Sequence, residues 1–350
     1  MATDTSRIIP GYGGTTAALT ASLTIAPGDS LDLSADALRN TLGENLLIDC
    51  LRWTVDAQTQ QEIADPAVTQ ATQTFGFPGG GAEIDIKMGD KEITAGEIPI
   101  YCLGRADGQD VETAILAVQD DTNTNMYLGS YTASRWFFDH PMSMAPGDAF
   151  ICHITNHGLL NLPITVSIAL TGRVGPDLPV SRWIPYCASW TPPAFTPSLA
   201  TATVPLTATS TERDLVNRAP AQLHISRFVG RLGRIGVVGA PFGGNTISQN
   251  AEMVFPGVQQ TVSGQPTSNW FPSAVDSFLT LTMRDSRAND NIPTAIPFRM
   301  AFEPTERTWE CAHILDPQGY YIASLTLAVP SVLDASVQPS IAMVGSYEVP

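Results

Sequence analysis

The sequence predicts an all-β protein made of two similar units, and three observations lead to this prediction. Runs in which apolar and polar residues alternate recur along the chain, separated by clusters of Gly, Pro, Asn and Asp. This pattern is typical of an antiparallel sandwich or barrel. The 28 glycines and 27 prolines among 350 residues interrupt the chain too often for long helices. A weak repeat of about half the chain length indicates a duplicated domain.

Seven strand-like runs occur in each unit. In the first unit they are SLTIAPG, NLLIDCLRWTV, AEIDIKM, EIPIYCLG, SRWFFDH, DAFICHIT and PITVSIALTG. In the second unit they are ATVPLTAT, QLHISRFVGRL, FLTLTMRD, AIPFRMAF, RTWECAHIL, GYYIASLTLAV and PSIAMVGSYEV. Period-2 alternation places one side of such a strand in the core and leaves the other side polar.

The repeat is carried by matching strands. NLLIDCLRW and QLHISRFVG align Leu46 with Leu223. PITVSIALTGRV and PSIAMVGSYEV align at their first prolines, Pro163 and Pro339, so the units are expected to close at Val174 and Val349. Two segments at corresponding places, 34–42 and 210–218, begin with a serine that can act as an N-cap. Each is expected to form one short helix.

Three segments are expected from this repeat: a first unit with an N-terminal arm (1–175), a connector (176–197) and a second unit (198–350). The connector is rich in proline, which favours an extended path. Its aromatic residues Trp183, Tyr186 and Trp190 indicate that it packs on a surface.

The two units differ by long insertions. The first unit has Arg105 to Ser134, rich in Asp, Asn and Thr, and the second has Gly236 to Ser273. Long loops on a β scaffold are usually functional or contact partners. We expect both insertions at the same outer end of the molecule.

Composition excludes several functions. The net charge is −16: residues 1–175 hold 8 Lys and Arg against 21 Asp and Glu, whereas residues 176–350 hold 10 against 13. Sequence-specific nucleic-acid binding is not expected because it needs clustered positive charge. No apolar run is long enough for a membrane-spanning helix, and the N-terminus lacks the pattern of a signal peptide.

No catalytic, cofactor-binding or metal site is predicted. His153 and His157 are four residues apart in CHITNHG, and residues at that spacing in a strand lie about 13 Å apart, too far to share an ion. Asp120 to Asn125 has the spacing of the start of a calcium loop but lacks its glycine and its closing Glu, so a solvated acidic loop is favoured over calcium. Five cysteines without a CxxC pair indicate buried free thiols, and a disulfide between strands stays open.

One basic concentration occurs in the second unit. It consists of Arg213, Arg218, Arg227, Arg231 and Arg234. The favoured interpretation is a surface that forms ion pairs with acidic neighbours. Contact with lipid headgroups or nucleic acid is the alternative.

The paired strands, the closing strands TVSIALTGRV and PSIAMVGSYEV and the connector RWIPYCASWTPP resemble the double jelly-roll major capsid proteins of tailless icosahedral viruses with an internal membrane, of the corticovirus and tectivirus type. This resemblance implies two tandem eight-stranded jelly rolls with short helices, and a homotrimer of pseudo-six-fold outline in the virion of a bacteriophage. It implies assembly in the host cytoplasm, with neighbouring capsomers, vertex (penton) proteins and an internal lipid membrane as partners. No enzymatic activity or cofactor is implied.

The alternative is a cellular double β-barrel protein, either a bicupin-like enzyme or a carbohydrate-binding module. Such a protein needs a concave site with converging polar groups, and no motif in the sequence marks one. The uncharged surface suggested by 43% hydrophobic and 15% charged residues favours burial between copies instead. Trp183, Tyr186 and Trp190 are candidate contacts between copies, as is the arginine group facing the acidic first unit of a neighbour.

Overall fold

The fold is almost entirely β in this computed structural model. Apart from the strands, it contains one 3₁₀ turn, Ile100–Cys102, and one helical turn, Phe298–Ala301, within the described residues. None of the described helices is long and apolar enough to cross a membrane. The structure describes residues 15–33, 36–57, 74–75, 82–103, 130–157, 163–176, 178–193, 195, 206–237, 259–262, 265–270, 279–287, 290–302, 308–327 and 336–349.

Unit 1 contains two facing antiparallel sheets. Sheet 1a has the strand order β1-β10-β3-β8, and sheet 1b has the order β2-β9-β5-β6, with β7 also paired to β5. The strands are β1 (Thr15–Ile25), β2 (Ser30–Leu33), β3 (Leu46–Ala57), β4 (Thr74–Phe75), β5 (Ala82–Met88), β6 (Lys91–Glu92), β7 (Ile98–Pro99), β8 (Ser130–Met144), β9 (Phe150–Asn156) and β10 (Ile164–Val174).

Unit 2 repeats this arrangement. Sheet 2a has the order β11-β21-β14-β19, and sheet 2b has the order β12-β20-β17-β18, with β13 also paired to β20. β4 pairs with the end of β14, and β15 and β16 form a separate hairpin. The strands are β11 (Trp183–Trp190), β12 (Leu206–Thr209), β13 (Leu215–Val216), β14 (Leu223–Val237), β15 (Gln259–Val262), β16 (Gln265–Trp270), β17 (Leu279–Asp285), β18 (Asp290–Pro297), β19 (Thr308–Leu315), β20 (Tyr320–Leu327) and β21 (Ser336–Glu348).

The strand order is the same in both units. In each, the first strand pairs with the last, and the last strand pairs with a long strand from early in the unit. Antiparallel sheets connected in this crossed manner form a jelly roll. The prediction of two tandem jelly rolls is therefore confirmed.

The register confirms one predicted alignment and corrects the other. Leu46 pairs with Val174, and Leu223 pairs with Tyr347, so the predicted equivalence of Leu46 and Leu223 holds for β3 and β14. The same pairs make Val174 the equivalent of Tyr347 in β10 and β21. The predicted alignment of Pro163 with Pro339, and the closing of unit 2 at Val349, are therefore wrong. The matching motif is SIALTG against SIAMVG, not the two prolines.

A glycine fixes this register in each unit. A Cβ atom at Gly172 would collide with the carbonyl oxygen of Leu47, and one at Gly345 would collide with that of His224. Both glycines face a bulge at which β3 or β14 carries one unpaired residue. Glycine is required because the two backbones approach too closely for any side chain.

The two predicted helices are absent from the described parts of their segments. Residues 36–38 and 212–214 form turns, and Leu215–Val216 is strand β13. Ser34 lies outside the described residues. One helical turn fixes several backbone angles for a single hydrogen bond. Here the polar side chains bind the backbone of neighbouring segments instead.

The segment 176–197 contains β11, which pairs along its whole length with β21. Residues 183–190 are therefore strand, not linker, and the first described strand of unit 2 begins at Trp183. Most of the two long insertions lies outside the described residues; within them the structure has the start of β8, the end of β14 and the hairpin β15–β16. Their expected place at one end of the molecule stays a prediction.

One hydrophobic core runs through both units. Its largest fully buried side chains come from each of them and include Trp53, Trp136, Tyr186, Phe228 and Phe302. The two units fill one equivalent position of the core with different side chains. Trp53 of β3 corresponds to Gly230 of β14, where the ring of Phe302 occupies the place of a side chain.

Candidate functional site: the joint between the two units

The two candidate histidines are separate on the outer face of sheet 1b. His153 lies 2.8 Å from Asp32, and His157 lies 2.8 Å from Glu83. Each histidine therefore makes its own carboxylate contact on a partly exposed surface. Within the described residues, no group of three or more His, Cys, Asp or Glu is arranged to hold a metal ion. The segment Asp120 to Asn125 lies outside the described residues.

The five cysteines are free thiols. Four are buried, and burial raises the pKa of Cys102 and Cys152 to about 12. A thiol with such a raised pKa carries almost no thiolate at neutral pH, so it behaves as a small apolar side chain.

The arginine group is not a surface patch. Arg227 and Arg231 are each only 6% exposed, whereas Arg213 and Arg218 are exposed. The prediction of an exposed basic surface is wrong for the two buried residues. Nothing is described of the Arg234 side chain.

Arg227 forms its ion pair inside the chain. Its Nη1 atom lies 3.2 Å from the carboxylate of Asp139, and its Nη2 atom donates to the carbonyl oxygen of Phe137 at 3.2 Å. Asp139 and Phe137 belong to unit 1, so the guanidinium of unit 2 binds the acidic unit of its own chain. The Arg227 side chain is buried, whereas the Asp139 side chain is 25% exposed. The contact favours one relative position of the two surfaces because separating them leaves the buried Arg227 without its ionic partner.

A bulge in β8 brings Asp139 to this place. Between the pairs Ile48–Met142 and Cys50–Phe137, β3 has one residue and β8 has four, residues 138–141. The corresponding interruption in unit 2 has two residues on β19. Pro141, which directly follows the run SRWFFDH and lies inside β8, is the sequence signal that could have located the bulge, since proline occurs in strands at edges and bulges.

The edge strands β8 and β11 meet at the same surface. The ring of His140 stacks on Trp183 with centroids 4.1 Å apart, and Trp183 meets His224 edge-on at 5.1 Å. The backbone N–H of Ser181 donates to the hydroxyl of Ser143 at 2.6 Å. A cleft of about 350 Å³ opens beside these rings. Of the predicted contact aromatics, Tyr186 and Trp190 are buried within the chain, so they are not contacts between copies.

The segment around β7 covers the outward face of sheet 2a, the side that points away from the core of unit 2. Cys187 of β11 exchanges two backbone hydrogen bonds with this segment, donating to Ile93 at 2.8 Å and accepting from Ala95 at 2.9 Å. At the end of the 3₁₀ turn, the Cys102 thiol is hydrogen-bonded to Ser340 of β21 and lies near Arg231. We call this whole contact, made by residues 92–103 and 137–143 with sheet 2a, the joint.

The joint makes the corresponding sheets of the two units unequal. On β21, the outward residues Ser340, Ala342 and Val344 are completely buried. Their equivalents on β10 are Ser167, Ala169 and Thr171, and all three are partly exposed. The outward face of sheet 1a is thus left open by the described residues.

Comparison of the chain with known proteins gave distant structural matches. No protein-family model matches the chain, and no curated protein matches it. Among solved structures, a chain of the Sputnik virophage is 10% identical with a TM-score of 0.33, covering 99% of this chain and 89% of that one. The mavirus major capsid protein is 9% identical with a TM-score of 0.36, covering 98% and 90%.

A glycosylasparaginase, PNGase F from Flavobacterium meningosepticum, is 9% identical with a TM-score of 0.28, covering 97% of this chain and 95% of the enzyme. At these identities the likeness concerns the fold alone. The two tandem jelly rolls rest on the strand order and register of the chain itself.

Proposed function

We propose that the chain is a structural major capsid protein whose homotrimers tile an icosahedral virus shell. The observation that carries the proposal is the joint. It links two jelly rolls of equal topology into one body. The outward face of sheet 2a is covered by unit 1, whereas the described residues leave the equivalent face of sheet 1a partly exposed. A second copy could cover that face in the same way.

Symmetry supports a shell. Three copies of two similar units give six similar blocks around a three-fold axis, a pseudo-hexamer that can tile a closed surface. Contacts between unit 1 of one copy and unit 2 of the next are heterologous, so they close into a ring when the rotation permits it. The net charges of −13 and −3 in the two halves of the sequence reduce repulsion in that pairing relative to contacts between two first units.

The proposed place of the protein is the virion, with assembly in the host cytoplasm. Neighbouring capsomers, vertex proteins and an internal membrane are the proposed partners. The protein would have no catalytic role and would not recognise nucleic-acid sequence. The proposed domains are a first jelly roll within 1–175 and a second jelly roll that comprises β11 together with residues from 198–350.

Sedimentation of the purified full chain at micromolar concentration and moderate salt tests the proposal, followed by imaging of the largest species. A homotrimer that assembles further into closed particles is expected. A monomer that stays monomeric as concentration rises would contradict it. In that case, stoichiometric bound metal or sugar binding would favour the enzyme or carbohydrate-binding alternative.

A further inference from the structure

Each of the two surfaces that form the joint has an equivalent on the other unit. In unit 1, β7 ends at Pro99 and the 3₁₀ turn that follows carries Cys102 onto sheet 2a. In unit 2, β18 ends at Pro297 and a helical turn follows at the same place. Three residues after each proline stand Cys102 and Met300, which are therefore equivalent positions.

The two equivalent residues differ in exposure. Cys102 is completely buried against the other unit, whereas Met300 is 71% exposed. Its neighbours Phe298 and Phe302 are fully buried and hold the turn in the core of unit 2. Met300 is thus a long apolar side chain presented to solvent on a rigid support.

The surface of sheet 2a that Cys102 contacts also has an equivalent, the outward face of sheet 1a in unit 1. Ser340, which bonds Cys102, corresponds to Ser167 on β10, and Arg231 corresponds to Thr54 on β3. These side chains belong to the outward face of sheet 1a, with Thr20 and Ser22 exposed beside them on β1. Hydroxyls of this face bond one another, as Ser22 does with Ser167 at 2.9 Å. Arg52 of β3 shares the face, since it pairs with Ala169 of β10.

Among the described residues, β1 forms an edge of sheet 1a with no further strand paired to it. β1 pairs with β10 over its whole length without a register shift. Its sequence TTAALTASLTI contains no charged residue, proline or glycine. Natural edge strands usually carry such residues or are covered. In unit 2, the equivalent strand β11 has outward residues Pro185 and Cys187 buried, because unit 1 lies against it.

We infer that the helical turn carrying Met300 docks on the outward face of sheet 1a in a second copy of the chain. This contact repeats between copies the joint that unit 1 and unit 2 form within one copy. It rests on the proposed function and specifies the surface through which the shell protein would associate. Met300 fills the place of Cys102, and Ser167 fills the place of Ser340. Because the turn belongs to unit 2 and the receiving face to unit 1, the contact joins unlike surfaces and runs head to tail.

Intermolecular cross-linking tests the inference. Two single variants of the full chain, Met300→Cys and Ser167→Cys, are mixed under mild oxidation and analysed on a denaturing gel without reductant. We expect a product of twice the mass of the 37.4 kDa chain, formed by the mixture far more than by either variant alone. Val180→Cys is the matched control for Met300→Cys because Val180 is 70% exposed. It should not cross-link to Ser167→Cys.

A second measurement uses an apolar-to-charged change. Because Met300→Glu removes an apolar side chain from the contact, it should raise the concentration needed for association by about tenfold or more, whereas Val180→Glu should not. Both variants should unfold at the same temperature as the parent, because both side chains are exposed.

The possible outcomes distinguish the docking contact from the proposed shell function. A trimer that forms without the Met300–Ser167 cross-link, or with an equal cross-link from Val180, overturns the inference and leaves the shell proposal intact. A cross-link between copies that never form a trimer or a particle supports the docking contact and overturns the shell proposal. A chain that is monomeric at every concentration overturns both.

Discussion

The two units share a buried asparagine at the same position, and the comparison separates what the fold requires from what the assembly requires. Asn40 and Asn217 are related by the same alignment that relates Leu46 to Leu223, and both are buried. The Asn40 amide donates to the carbonyl oxygens of Glu44 and Met144, each at 2.8 Å. Its side-chain oxygen accepts the backbone N–H of Leu42 at 3.1 Å.

Unit 2 repeats these hydrogen bonds. The Asn217 amide donates to the carbonyl oxygens of Ala221 and Leu315, each at 3.0 Å. Its oxygen accepts the backbone N–H of Ala219 at 3.0 Å. The partners share almost no sequence, but the bonds are the same because they are made to backbone atoms. The asparagine closes the turn that leads into the second long strand of each unit.

The outward faces of the two units have diverged instead. β11 reads WIPYCASW and is buried on both sides, whereas β1 reads TTAALTASLTI and alternates between exposed and partly buried residues. A strand covered on both sides loses its alternation. The comparison teaches that the interior of each unit follows the duplicated fold, while the exterior follows what lies against it.

The largest expected effect removes the shared asparagine. Asn40→Ala and Asn217→Ala should each lower the free energy of unfolding by about 4 kcal/mol, because each leaves several buried backbone groups without partners. Chemical denaturation of the two variants and of the exposed control Thr209→Ala measures this. Equal losses at the two positions confirm that the turns are equivalent. A loss in one unit alone would show that the duplicated turn has a structural role in only that unit.

Sequence alone revealed part of this equivalence. The segments 34–42 and 210–218 are matched by their serines, Ser34 and Ser210, which is one residue away from the register that makes Asn40 equivalent to Asn217. The serine N-caps predict helices, whereas Asn40 and Asn217 bond the backbone of more distant segments. The closing strands were aligned on their prolines, although the glycine at the bulge sets the register. Such errors arise because a close backbone approach leaves no periodic signal.

The joint could not be predicted from the sequence, for a different reason. The contact between Arg227 and Asp139 joins residues 88 positions apart. The sequence pattern around either residue does not predict this contact. The unbroken apolar run of β11 was the available signal that this strand is buried on both sides. It was interpreted instead as a connector, because its prolines are common in extended linkers.

The effect of intermediate size concerns the ion pair between Arg227 and Asp139 in the joint. Asp139→Ala should lower the free energy of unfolding by about 2 kcal/mol because Arg227 is left buried and unpaired. Adding Arg227→Met should recover most of this loss, since the double variant removes the charge left unpaired at position 227. Thermal unfolding of the single and double variants forms the test. Independent, additive losses would show that the two residues do not stabilise the joint as a pair.

The smallest effect comes from the turn between β8 and β9 and its counterpart between β19 and β20. Gly147 of unit 1 has a φ of 90°, and its equivalent in unit 2 is Gln318 with a φ of 64°. Both have the same role, since the N–H of each donates to the backbone carbonyl oxygen of the shared asparagine, at 2.8 and 2.9 Å. A side chain in this left-handed region costs about 1 kcal/mol relative to glycine.

Gln318→Gly should therefore stabilise unit 2 by about 0.5 kcal/mol, because relief of backbone strain outweighs the greater entropy that glycine gives the unfolded chain. Gly147→Gln should destabilise unit 1 by about 1 kcal/mol, although its side chain would meet open space. Denaturant midpoints of the two variants, measured against the parent, give the difference. If both changes were neutral, the turn would tolerate glutamine equally in each unit, and Gln318 would not be a strained copy of Gly147. Opposite signs would show that unit 2 kept the hydrogen bonds of the turn while giving up the residue that suits them best.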